Sequence, residues 1–362
     1  MENFWIDPFL YVQIYQAVLV FTVIFILTKQ VGYGLDNING RAILLALFII
    51  VYWAVRPITH LAGLVDTKAV AIFFNLAKEY GSDVLGYKDL GYVILVKTML
   101  PFTIEVFFGV LACLYIITYL VAYKNIYSSN FGIAFIILVC SFSFFGYGVN
   151  GMRNGIALAF VTLAISNLNR KLWQTVFMCI IGLSFHKSAL LPICAFVLVR
   201  FYNKPKVYMS VWFACLLLSL VFGNFLASLI PADLMREDDR LSSYLTADFA
   251  NQQNATFSYT GFRFDFLFYS MIPIIVGWKY MKKLELKDVF YLRVWSTYVI
   301  CNAFWILTIY VPYNNRFAYL SWFLFPILIT YPFVKEKTRL TRNIHSVLFL
   351  NYLFMFLMWL KE

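Results

Sequence analysis

Charge is what this chain has least of. Only 13% of its 362 residues are Asp, Glu, Lys or Arg, against roughly 25% in a soluble globular domain. With 62% hydrophobic residues and a mean hydropathy of +0.77, that scarcity excludes a water-soluble domain and implies a polytopic membrane protein. Metal-ligand spacing is missing as well. The six cysteines, at 113, 140, 179, 194, 215 and 301, all lie in apolar stretches and form no C-x-x-C pair. They are expected to pack as small hydrophobes, with no metal site and no redox role. There is no phosphate loop, no G-x-S-x-G, no H-E-x-x-H and no dinucleotide fingerprint. No nucleotide and no cofactor is therefore expected. The net charge of +11 is not gathered into any run of five or six basic residues, so no nucleic-acid partner is expected either. The opening MENFWIDPFLYVQ lacks the basic region and small-residue cleavage site of a signal peptide, and the first span is expected to stay in the mature protein.

What the chain does have is apolar segments. Twelve spans are read, roughly 9–28, 41–55, 101–123, 130–146, 154–168, 172–185, 187–201, 207–230, 263–281, 289–310, 317–334 and 345–360. Hydrocarbon needs about 20 helical residues to cross it; several of these are shorter, so one pair is open to a re-entrant reading. The fold class expected is all-α: one transmembrane domain over residues 1–362 with two long outer connections, 56–100 and 231–262.

Orientation follows from the basic residues. The connections assigned to one side carry sixteen Lys and Arg, among them Arg170, Lys171, Lys282, Lys283 and Arg339. The short connections and tail on the other side carry only Arg153, Lys187, Arg316 and Lys361, and the acids show the reverse bias. The positive-inside rule then puts the first set in the cytoplasm. Both termini, and Arg56, Arg153, His186, Arg263 and Arg316, fall outside.

In the first outer connection, Asp66 and Thr67 are placed to cap a helix over 67–80, and residues 89–100 read as a second, interfacial helix before Pro101. The second carries the amphipathic LMREDDRLSSYL and then the polar NQQNAT, a flap in character. Consecutive acids such as Glu237, Asp238 and Asp239 point in different directions on a helix and make a solvated face rather than a metal cage.

Chemistry is carried by the stretch from Gly146 to Leu191, two apolar segments joined by Asn-Arg-Lys at 169–171. If both cross, Arg153 and His186 meet at one membrane face. A guanidinium suits bidentate phosphate contacts, and an imidazole, with an ordinary pKa of about 6.5, accepts a proton near neutrality. Arg56, Arg153, Arg263 and Arg316 together suit a lipid diphosphate. The competing reading is that such arginines snorkel to headgroups and that His186 marks a helix start. Asp66 and Asp89 are the alternative bases. His60 and His345 are the remaining histidines.

These residues resemble the EpsG family, a branch of the Wzy-type O-antigen and capsule polymerases. The resemblance runs through Arg56 with Asp66-Thr67, Asp89-Leu-Gly91-Tyr92, Arg153-Asn-Gly-Ile-Ala157, Phe185-His-Lys-Ser-Ala189 and Asn315-Arg316-Phe-Ala-Tyr319. It covers roughly residues 40 to 335 and departs at Val70, where the family pattern has a tyrosine. It implies polymerisation of undecaprenyl diphosphate-linked oligosaccharide repeats at the periplasmic face of the bacterial inner membrane, with both termini periplasmic. It also implies partnership with a flippase and a chain-length regulator of the same pathway. A flippase or transporter of lipid-linked glycan and an O-antigen ligase are the rival functions.

Overall fold

Apolar sequence in hydrocarbon leaves the backbone no solvent partner, so each segment must satisfy its own N–H and C=O groups. The computed structural model, which describes residues 5–28, 36–81, 89–167, 172–229, 261–283, 285–311, 314–335 and 340–361, meets this requirement with helices; no strand occurs among the described residues. In chain order they are α1 (Pro8–Thr28), α2 (Asp36–Ala54), α3 (Val65–Tyr80), α4 (Leu90–Met99), α5 (Ile104–Tyr127), α6 (Phe131–Val139), α7 (Phe142–Val149), α8 (Met152–Ser166), α9 (Leu172–Phe185), α10 (Leu190–Phe201), α11 (Pro205–Ser228), α12 (Phe264–Lys283), α13 (Val289–Leu307), α14 (Asn315–Trp322), α15 (Phe325–Lys335) and α16 (Leu340–Lys361). The second outer connection, with its expected amphipathic helix, acidic run and flap, lies outside the described residues up to residue 260, as does the Asn169-Arg170-Lys171 turn.

Against the twelve spans read from sequence, five helical stretches are long and apolar enough to cross a membrane: Pro8–Thr28, Ile104–Val139, Pro205–Ser228, Asn315–Lys335 and Asn343–Leu360. Ile38–Ala54, Leu90–Met99, Met152–Ser166 and Leu172–Phe185 are apolar but shorter. Large apolar side chains left exposed, such as Leu44, Leu217, Val221 and Phe225, form the surface a bilayer covers. The chain is a helical membrane protein.

Two expected spans are each broken into two helices. The fourth splits at Cys140–Ser141, where Ser141 Oγ donates to the Leu138 carbonyl at 2.6 Å. The eleventh splits at Phe323–Leu324, with Pro326 in the first turn of α15, where a missing N–H costs no helical bond. Helix α3 starts earlier than expected, at Val65. Its N-cap is Leu64, with no side-chain cap, so Asp66 sits in the first turn rather than at the cap.

The helices form two compact units, residues 1–193 with 326–362, and residues 194–325. In the first unit α8 packs on α9 and α5, α5 on α2, and α4 on α9. Tyr115, Tyr119, Tyr123 and Tyr127, one turn apart on α5, are all buried. In the second unit α13 packs against α11, α12 and α14. There Trp212 Nε1 donates to Asn302 Oδ1 at 2.8 Å, and Trp322 Nε1 to Ser270 Oγ at 2.7 Å.

Candidate functional site

The turn between α7 and α8, residues 149–154, is the hub of the first unit. Four parts of the chain distant in sequence bond to it. Tight approach is built in at Gly155, where a Cβ would sit 2.5 Å from the Tyr147 carbonyl oxygen; only glycine lets α8 turn back so closely on α7.

Just past the end of α2 comes Arg56. Its Nε donates to the Trp53 carbonyl at 2.8 Å and its Nη1 to the Val149 carbonyl at 3.1 Å. Nη2 reaches the Phe108 carbonyl at 3.5 Å, and the guanidinium lies 4.3 Å from the centre of the Phe108 ring. The residue is 3% exposed. Burial pulls its pKa down to about 10, which leaves it protonated at neutral pH. Its geometry is that of a strut tying α2 and α5 to the turn. A cavity of about 600 Å³ next to it is lined by Trp5, Lys68, Asn75 and Glu105 among others.

From α3 comes Asp66. Its backbone N–H donates to Asn150 Oδ1 at 3.4 Å, while Asn150 Nδ2 donates to the Gly63 carbonyl at 2.6 Å. Asn150 thus serves the start of α3 from across the fold, the task expected of Asp66 itself.

From the start of α4 comes Asp89, the N-cap position of that helix with no side-chain cap bond. Its carboxylate turns to Arg153, whose Nη1 lies 2.7 Å from Asp89 Oδ2, with side-chain exposures of 21% and 9%. A charge-assisted bond at this depth is worth more than a surface pair. The guanidinium also lies 5.6 Å from the centre of the Tyr92 ring. Between these two residues, a Cβ on Gly91 would collide with Ser184 Oγ, so glycine is what lets α4 close on α9. Asp89 and Tyr92 thus meet Arg153 on α8, and Gly91 meets Ser184 on α9.

From the end of α9 comes His186. Its Nδ1 lies 2.6 Å from Ser188 Oγ and accepts from the Ser188 N–H at 3.1 Å. Ser188 Oγ donates to Asn154 Oδ1 at 2.8 Å, and Asn154 Nδ2 to the Tyr147 hydroxyl at 3.4 Å. Arg153 and His186 are thus brought to one end of the α8–α9 hairpin, joined through Asn154 and Ser188.

The other two expected arginines belong to the second unit. Arg263 Nε and Nη2 bond Asp265 Oδ1 and Oδ2 at 2.9 and 2.7 Å, with the guanidinium 3.8 Å from the centre of the Phe266 ring. Arg316 is exposed in the first turn of α14. Among the described residues no group of His, Cys, Asp and Glu is placed to hold a metal.

Sequence reasoning gave no role to Asn150, Asn154 or Ser188. A signal was present: two amides four residues apart where an apolar segment begins, and a hydroxyl two residues after a histidine, a spacing that favours local side-chain bonds.

The EpsG family model matches residues 42–362. No curated protein and no solved structure matches the chain. The match spans most of the sequence, and the chain belongs to the EpsG family, whose members are Wzy-type, exopolysaccharide-polymerase-like proteins.

Proposed function

From that membership, we propose that the protein polymerises undecaprenyl diphosphate-linked oligosaccharide repeats at the periplasmic face of the inner membrane. The observation that carries the reading is the convergence of Asp89, Arg153, Asn154 and His186 at one end of the α8–α9 hairpin.

In the proposed reaction a hydroxyl on one lipid-linked repeat attacks the anomeric carbon of another glycan. The carbon–oxygen bond to the donor's diphosphate breaks, and a glycosidic bond forms. Arg153 binds the diphosphate and stabilises the charge that builds on its leaving oxygen. Asp89 aims the guanidinium from behind and is a positioning residue, not a base. His186 takes the hydroxyl proton. Arg56, buried on backbone carbonyls, holds the turn in place and is not assigned to phosphate. Arg263 is committed to Asp265 and is not assigned to phosphate. The cavity beside Arg56 is of ligand size, within about 300–1,000 Å³, and carries Lys68, Asn75 and Glu105 among mostly apolar walls. No nucleotide sugar, metal or cofactor is called on, because the lipid diphosphate is itself the leaving group.

The test is reconstitution. Purified protein in liposomes, given one synthetic lipid diphosphate-linked repeat, is expected to yield a ladder of lengthened glycans. Repeat units moved across the bilayer but never lengthened would favour the flippase reading and remove this one.

A further inference from the structure

Helices α1 and α2 are tied to one another at two places. Near the start of α1, Tyr11 stacks on Tyr52 with ring centres 4.3 Å apart, and each hydroxyl donates to the other residue's carbonyl, at 2.8 and 2.7 Å. Near its end, the Arg41 guanidinium lies 4.2 Å from the centre of the Phe25 ring. Elsewhere the two helices have separate neighbours: α1 packs on α16, and α2 on α5 and α6. Between the ties they leave a groove of about 510 Å³, with Val18 and Thr22 on one wall, Leu44 and Phe48 on the other, and Ile136 of α6 and Arg41 completing the lining.

That lining is apolar except for one cation. The Thr22 hydroxyl is satisfied inside α1, where it donates to the Val18 carbonyl at 2.7 Å. Arg41 is not satisfied. Its contact with the ring consumes none of the five N–H donors of a guanidinium, and among the described residues no hydrogen bond or ion pair takes one. An arginine that only sought headgroups would extend away along the helix surface; this one bends across Phe25 and lines the groove. Among the described residues no acid lines it. The result is an apolar slot of ligand size holding a single unbalanced positive charge.

We propose that this groove binds one anionic phospholipid, with an acyl chain between α1 and α2 and the phosphate on Arg41. Nothing in it depends on the polymerase activity proposed above. The apolar walls hold the chain by close packing, and the guanidinium fork bonds phosphate oxygens. Charge then selects among phospholipids. A headgroup of net negative charge is balanced by Arg41, whereas a zwitterionic one brings its own cation into a groove without an acid. The orientation read from the basic residues puts Arg41 at the cytoplasmic leaflet, where basic pockets between helices take anionic headgroups. Arg41 is at the opposite end of α2 from Arg56, so the lipid is a structural partner of α1 and α2, remote from Arg153 and His186.

The test uses the purified chain in a neutral detergent, given phosphatidylglycerol or phosphatidylcholine with the same acyl chains. Native mass spectrometry is expected to show one phosphatidylglycerol retained per chain, and phosphatidylcholine retained about tenfold less, the ratio a lost charge-assisted bond brings. Melting temperature is expected to rise with phosphatidylglycerol and not with phosphatidylcholine, since a ligand of the folded state stabilises it. Arg41→Gln alters a part-exposed side chain and is expected to lose both the preference and the rise, while Arg41→Lys retains part of each. Thr22→Phe fills the groove beside an intact Arg41 and is expected to lose phosphatidylglycerol. Arg200→Gln removes an exposed cation that does not line the groove and is expected to behave as the parent. Equal retention of the two lipids by the parent overturns the proposal, as does an undiminished preference in Arg41→Gln or unchanged retention in Thr22→Phe. A loss in Arg200→Gln as large as that in Arg41→Gln would reduce the effect to general charge attraction and overturns it too. If Arg41→Gln melts lower without lipid, its preference is still read from the masses.

Discussion

Asp89 Oδ2 lies 2.7 Å from Arg153 Nη1 and so joins the start of α4 to the first turn of α8. Removing the acid leaves a part-buried guanidinium short of its partner. Asp89→Ala is expected to lower stability by about 1–3 kcal/mol and activity with it. The exchange Asp89→Arg with Arg153→Asp separates the two roles. Thermal unfolding in detergent is expected to return toward the parent, by the logic of a double-mutant cycle. Polymer formation is expected to stay absent, because the cation no longer stands where the diphosphate binds. Recovered polymer would show that only the pair, and not the position of the cation, matters.

Gly91→Ala places a methyl against Ser184 Oγ. Overpacking of this kind typically costs about 1–3 kcal/mol, and here it lifts α4 from α9 and draws Asp89 off Arg153. Reduced melting temperature and reduced activity are both expected. Adding Ser184→Ala removes the Oγ and is expected to recover part of each. Unchanged melting in the single variant would contradict the packing account.

Arg56→Lys retains the charge but loses the fork that spans the Trp53, Val149 and Phe108 carbonyls. Buried acceptors left short of donors, and a compact ammonium in place of a planar group, are expected to cost about 2–4 kcal/mol. Melting and activity are expected to fall together. Because burial leaves the Arg56 pKa at about 10, below its ordinary value, its charge is constant from pH 6 to 9. The burial penalty is relieved only as pH rises past that value, so no change of stability with pH in the neutral range traces to it.

Much of the helical layout was legible in the sequence, because apolar length is a local property. The segment read as 172–185 is a helix with those bounds. The breaks at Cys140–Ser141 and Phe323–Leu324 were not legible, since apolar residues continue through both. Capping at the start of α3 was misread for a related reason. Asp66 has the right residue type at the right place, but the side chain that serves that terminus is Asn150, 84 residues away. Tertiary bonds of this kind leave no period in the chain. The pairing of Asp89 with Arg153 and the contact of Ser188 with Asn154 were hidden in the same way, although the residues themselves stand inside motifs the sequence displayed.

His186→Gln preserves a polar side chain at the end of α9 but cannot accept and release a proton as imidazole does. Its kcat is expected to fall at least a hundredfold, within the range of about 10²–10⁴ for a general base. KM for the lipid-linked repeat is expected to change little, and parental kcat in His186→Gln would contradict the assignment of the hydroxyl proton to His186.

Arg153→Lys is the sharpest probe of the whole account. Lysine keeps a cation that can still reach Asp89, so the fold is expected to melt within about 1 kcal/mol of the parent, as for an exposed or part-exposed polar change. What it loses is bidentate contact with the diphosphate. Measured as glycan length in liposomes given one lipid diphosphate-linked repeat, the parent is expected to produce a ladder and Arg153→Lys single, unlengthened repeats at equal protein level. A ladder of parental length and yield from Arg153→Lys would contradict the assignment of Arg153 to the diphosphate.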